Sequence, residues 1–314
     1  VSSPASSHLS RADYVRGALW GLFAISIWVG WILYTRVGVT TTMSPFDIVA
    51  LRFACAGLVM LPIVIRRGWA IRQIGWLNWV LVVCCAGVPY VLLASSGLQF
   101  APSAQAGALI PGTMPLWAAL LAMFFLKEHI SGLRRLGLAL IPVGIVTILG
   151  TGLFHFETGH WRGHLMFIAA AMTWATFTVA VRRSGLGAIH AAAIVSVVSM
   201  IGYLPVYAFL LPHRLADAPW SAIAGQTLYQ GIVVSIVSLV AYARAVNILG
   251  ASLGASFASL VPVLAMLAAI PLLGEIPGKS DVIGIAVITT GVFLASGAYA
   301  AFGFDKKRAR SATK

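Results

Sequence analysis

Apolar residues run along this chain in ten long stretches, each ended by a short polar or glycine-containing connection. A helix needs about 20 apolar residues to cross the hydrocarbon core of a bilayer. Residues 17–36, 46–65, 76–98, 103–126, 133–152, 163–181, 189–211, 221–246, 251–273 and 281–302 satisfy that length, which predicts an all-α integral membrane protein of ten transmembrane helices. The first stretch is longer than the apolar part of a secretory signal, and nine more follow, so it reads as a retained helix. Residues 1–16 are polar and serine-rich, and residues 303–314 are basic; both are expected to be cytoplasmic tails.

The stretches repeat. Ala101–Glu128 and Ile248–Glu275 each open on small residues, carry a mid-helix proline (Pro115 or Pro262) and stop at a glutamate. An offset of 147 superimposes them, with 14 identities over the 50 positions 101–150. It carries Gly137 onto Gly284, Gly144 onto Gly291 and Gly150 onto Gly297. Nearer the N-terminus, an offset of 146 places Gly17, Trp28 and Arg36 on Gly163, Trp174 and Arg182. The chain is therefore two tandem copies of one unit, 17–152 and 163–302. Five helices per copy is an odd number, so the second copy enters the membrane from the opposite face. Inverted five-helix repeats are an arrangement of secondary transporters, with substrate near the midplane between the halves.

Composition agrees with lipid as the solvent. Hydrophobic residues make up 60%, charged residues 9%, and mean hydropathy is +0.95. Soluble domains carry about 25% charged residues. The net charge of +13 does not call for nucleic acid, because the basic residues sit at the ends of apolar segments. With the N-terminus inside, 15 of the 21 Lys and Arg fall on the inner side and 4 on the outer; Arg52 and Arg244 lie within spans. That asymmetry predicts both termini in the cytoplasm and a multi-pass protein of the inner (plasma) membrane.

The doubled pattern of small residues, mid-helix proline and terminal glutamate resembles the drug/metabolite transporter superfamily, in particular its EamA-type exporters. The segment PFDIVALRF at Pro45–Phe53 is similar to the family's second-helix opening, with Arg52 in its usual place. GHLMFIAAAMTWATFTVAVRR resembles the start of the second family repeat. The resemblance covers nearly all of residues 17–302 and implies efflux of small metabolites or drugs through a central cavity. Amino-acid-like or aromatic compounds are favoured as substrates. The Arg52 position falls on Val198 in the second copy, so the halves differ chemically. The alternative reading is a non-transporting membrane scaffold or a lipid-handling enzyme.

No Walker A loop, zinc-spaced Cys/His set or catalytic carboxylate pair is present, so no ATP, metal or other cofactor is expected, and no enzymatic activity. The expected partners are a small-molecule substrate and the bilayer, with the chain a monomer or homodimer. All eight acidic residues and all seven histidines lie away from span centres. Transport is therefore expected to follow the substrate gradient without a midplane proton relay. Inside the spans stand Trp28, Tyr90, Trp117, Trp174, Tyr229, Gln230, Tyr242, Ser256 and Ser259, a set suited to an aromatic-walled cavity. For each, helix packing or interface anchoring competes as an explanation. Pro115 and Pro262 are expected to kink equivalent helices. Glu128 and Glu275 are assigned structural roles at opposite faces, with Arg134 or Arg135 as partner for Glu128. Arg244 is expected to reach the headgroups. Arg52 is expected to bond Asp47 or helix-end carbonyls, with carboxylate binding as the lesser alternative.

Overall fold

Backbone polar groups in lipid must be satisfied within the chain, and helices do this locally. The computed structural model describes residues 10–126, 130, 132–152 and 159–299; Glu128 and most of both tails fall outside these. The first span is α1 (Arg11–Thr41), capped by the Ser10 hydroxyl, and the second is α2 (Pro45–Arg67). A surface turn, α3 (Ile71–Ile74), leads to a third span made of α4 (Trp76–Ala86) and α5 (Val88–Phe100). α6 (Ser103–Leu126), α7 (Gly132–Gly152), α8 (His160–Ser184) and α9 (Ala188–Leu210) are spans four to seven. The eighth comprises α10 (Trp220–Leu228), a π-helical segment (Tyr229–Val237) and α11 (Ser238–Leu249). The ninth comprises α12 (Ala251–Ala258) and α13 (Val261–Leu273), and the tenth is α14 (Lys279–Ser296). All ten are long and apolar enough to cross a bilayer. Their outer surfaces expose Leu58, Ile65, Phe124 and Phe209, with Trp76 and Trp220 at span ends, where aromatic side chains favour the lipid–water boundary.

Packing follows the repeat. Spans five and ten, two and seven, and four and nine pair with each other, while one packs on eight and three on six. Exchanging the halves maps this set onto itself. Spans five and ten meet along glycines. A Cβ on Gly144 would stand 2.8 Å from Gly284 O, and one on Gly137 would stand 2.6 Å from Gly291 O. Small residues here allow the helix backbones to approach closely.

Three spans depart from simple helices. The third breaks at Gly87, after which Pro89 supplies no N–H. The eighth widens to i→i+5 geometry, and Ser235 Oγ donates to Gln230 O at 2.8 Å. At the repeat offset, Gly87 falls on Val234, inside that widened segment. Interrupted helices at equivalent positions of the two halves are a structural pointer to a binding site. The ninth breaks at Ser259–Leu260, so Pro262 occupies the first turn of a new helix, whereas Pro115 lies inside the continuous α6. The two prolines are equivalent in sequence but differ in backbone setting.

Candidate functional site

Trp28, Trp31 and Thr35 follow one another at helical spacing and so share one face of α1. That face looks onto the interrupted third and eighth spans. Trp31 stacks on Tyr90 with ring centroids 6.0 Å apart, Tyr90 meets Trp174 at 4.7 Å, and Trp174 meets Phe177 at 5.3 Å. Trp28 packs on Tyr242 at 5.1 Å and donates from Nε1 to Ser238 Oγ at 3.2 Å. Trp31, Tyr90, Trp174 and Phe177 thus form a continuous aromatic row contributed by both halves, with the Trp28–Tyr242 pair one turn away on α1. Tyr34 meets Tyr229 at 5.4 Å, and the Tyr229 hydroxyl donates to Ile27 O at 3.1 Å.

A polar column runs beside the rings. Gln226 Nε2 donates to Tyr34 O at 2.7 Å. Gln230 Nε2 donates to Thr35 Oγ1 at 2.9 Å and to Gln226 Oε1 at 3.2 Å. Gln230 Oε1 faces Arg52 Nη1 at 3.5 Å, and the Arg52 guanidinium lies 6.0 Å from the Trp31 ring centre. Arg52 does not bond Asp47. That carboxylate accepts from Ser44 N at 2.7 Å, Ser44 Oγ at 2.8 Å, the Tyr207 hydroxyl at 2.6 Å and Arg214 N at 3.2 Å. It caps α2 and ties its start to the end of α9.

The other predicted residues stand differently. Ser256 Oγ donates to Leu253 O at 2.7 Å and Ser259 Oγ to Ser256 O at 2.6 Å, so both hydroxyls support the break in the ninth span. Trp117 is half-buried, and its Nε1 has no hydrogen-bond partner among the described residues. Arg244 is exposed near the end of the eighth span. Glu128 lies outside the described residues.

Glu275 has a specific place. α13 ends at Gly274 in the left-handed conformation (φ 67°), with Gly274 N bonded to Ile270 O and Glu275 N to Ala269 O. This left-handed cap, with its αL-type bond from Gly274 N to Ile270 O, turns the chain back over the helix end. The carboxylate then accepts from Arg36 Nε at 2.9 Å and from Ser103 N at 2.7 Å. The second bond places it at the N-terminus of α6, where the helix dipole favours an anion. Arg36 also donates to Leu98 O. Beside it, Gln105 Nε2 donates to Asp281 Oδ1 at 3.0 Å, while Gln105 Oε1 accepts from His164 Nε2 at 2.7 Å. These bonds join spans one, three, four, six, nine and ten at the face where the first span ends, hereafter the distal face.

The repeat signal that singled out Trp28 and Trp174 also contained their neighbours one turn on, Trp31 and Phe177, which the same offset superimposes. Arg36 was visible as a repeated residue, but its partner 239 positions away was not.

Comparison with known proteins agrees with this architecture. The chain is 26% identical over 285 residues to the uncharacterized transporter YetK of Bacillus subtilis, covering 86% of this chain and 82% of that protein. It is 31% identical over 168 residues to the aromatic amino acid exporter YddG of Ancylobacter novellus, covering 52% of this chain and 57% of that protein. A solved crystal structure shares the fold with a TM-score of 0.59 at 23% identity, covering 89% of this chain and 95% of the other. The EamA-like transporter family matches twice in tandem, at residues 15–150 and 161–297, once over each five-span half, and the chain belongs to that family.

Proposed function

We propose that this membrane protein is a secondary exporter of small metabolites, favouring amino-acid-like or aromatic compounds, which it moves through a cavity between its halves by alternating access. The observation that carries the reading is an asymmetry of packing. Spans one and three pack together through α5, and spans one and four through α6, while their repeat mates, six with eight and six with nine, have no comparable packing among the described residues. Span four packs on α13, the distal half of span nine, and not comparably on α12, the other half. A pseudo-symmetric bundle drawn together at one face and spread at the other is one side of an alternating cycle. Exchanging the conformations of the halves generates the second side. The aromatic rings come from spans one, three, six and eight, and the relative named as an aromatic amino acid exporter supports the substrate class. By the distribution of Lys and Arg, the distal face is extracellular and both termini are cytoplasmic.

The test is counterflow of labelled phenylalanine and tryptophan in vesicles containing the purified chain, with pH set independently on each side. Flux should follow the substrate gradient and ignore an imposed proton gradient. Uphill accumulation driven by the proton gradient alone would overturn the uncoupled mechanism. Absence of flux for every amino-acid-like and aromatic compound would leave the scaffold or lipid-handling reading.

A further inference from the structure

A charge placed at bilayer depth is costly unless something balances it. Arg52 is 9% exposed, and among the described residues no carboxylate lies within ion-pair distance of it. Asp47 is five residues earlier, and at 100° per residue the two side chains leave α2 about 140° apart. Asp47 is also fully committed to Ser44, Tyr207 and the Arg214 backbone. What Arg52 does face is neutral: a long contact to Gln230 Oε1 and the Trp31 ring. Its Nε has no hydrogen-bond partner among the described residues, and neither has Trp31 Nε1.

Both unpartnered atoms are donors, and the balancing charge they lack is negative. A carboxylate supplies acceptors and charge together, and its planar geometry matches a guanidinium. At 1.5 Å per residue, Arg52 lies about 10 Å below the start of α2, while Trp31 and Tyr90 lie about 15 Å below the distal ends of their helices. The Tyr90, Trp174 and Phe177 rings adjoin the same place. Their flat apolar faces suit the body of a ligand whose carboxylate is held by Arg52. For an ammonium group with no carboxylate beside it the same place is hostile. The described acidic residues stand at span ends or connections, and the fixed local charge is positive.

We propose that Arg52 is the carboxylate anchor of this site, which selects organic acids and zwitterions with an aromatic or apolar body by their carboxylate, the amino group being dispensable and organic cations being rejected. The proposal rests on the exporter reading and narrows it.

The test uses four probes of one shape: 3-phenylpropionate, phenylalanine, phenylalanine amide and phenethylamine. Binding is read from tryptophan fluorescence of the purified full chain, and flux from counterflow in vesicles. The wild-type protein should bind and move the first two comparably. It should bind the amide and the amine at least about 10-fold more weakly, the size of a lost hydrogen bond to a charged group. Arg52→Gln should weaken 3-phenylpropionate binding by about 10- to 100-fold, and Arg52→Lys should recover part of that loss. Amide or amine binding as tight as that of 3-phenylpropionate overturns the anchor, and this arm needs no variant to fold. So does an Arg52→Gln protein, monodisperse and thermally stable, that binds the acid as the wild type does. Flux of the amine and amide without the acids removes the anchor but leaves the exporter. Silence of all four probes in binding and flux overturns the anchor, while flux of any other amino-acid-like or aromatic compound keeps the exporter.

Discussion

The bond between Arg36 and Glu275 gives a measurable handle on the distal closure. Glu275→Gln conserves size and removes the charge. The wild-type carboxylate takes a hydrogen bond on each oxygen, from Arg36 Nε at 2.9 Å and Ser103 N at 2.7 Å, with side chains only 20% and 18% exposed in the ion pair. Hydrogen bonds to a charged group contribute about 1.5–3 kcal/mol each. The amide retains one acceptor oxygen, so one bond survives in weaker form, and the net loss is about 2 kcal/mol. Since about 1.4 kcal/mol is a factor of ten, the ratio of closed to open distal ends should fall about 30-fold. Ala106, fully buried one turn below Ser103, is the reporter. In a background with Cys55, Cys84 and Cys85 replaced by serine, Ala106→Cys should react slowly with a membrane-impermeant maleimide applied from the distal side. Adding Glu275→Gln should raise the rate by about the same 30-fold when opening precedes labelling. An unchanged labelling rate, in vesicles that still transport, would refute the idea that this ion pair holds the distal face together.

Two further outcomes follow from the packing. Gly144→Ala brings a Cβ within 2.8 Å of Gly284 O and 2.5 Å of Ile288 Cγ1, whereas Gly150 on the same helix has nothing within 4 Å of that position. Gly144→Ala should destabilise by about 1–3 kcal/mol through overpacking. Gly150→Ala should be neutral or gain up to about 1 kcal/mol of helix propensity, and thermal unfolding in detergent compares the two. Asp47→Ala strands the Tyr207 hydroxyl and the Ser44 and Arg214 amides, and should cost about 3 kcal/mol of stability. Asp47→Asn, which keeps an acceptor oxygen, should cost less in the same assay.

The span pattern was legible because hydropathy at this length leaves few alternatives, and the odd count per repeat then fixed the inversion. The breaks were partly legible: Gly87 with Pro89, and Pro262, are the residues that interrupt a helix. That Pro115 stays inside a continuous helix while Pro262 begins one was not, because neighbouring packing decides which proline is absorbed. Trp28, Tyr90, Trp174, Gln230 and Tyr242 could be picked out as polar or aromatic residues inside spans. Which of them meet could not, since Arg52 and Gln230 are 178 positions apart. Linear proximity misled at Arg52, where five residues from Asp47 suggested a bond that helical rotation forbids.

The glycine seam between spans five and ten bears on the origin of the chain. Gly137 approaches Gly291 and Gly144 approaches Gly284, while the repeat places Gly137 on Gly284 and Gly144 on Gly291. Each contact is therefore the image of the other, and the fifth span presents a self-complementary face, the isologous kind that joins two identical subunits. A single five-span ancestor inserted into the bilayer in both orientations would have owned this interface before any duplication. Fusion of two such copies would require only a tether and would leave each half free to diverge; the halves do differ at Arg52 and Val198.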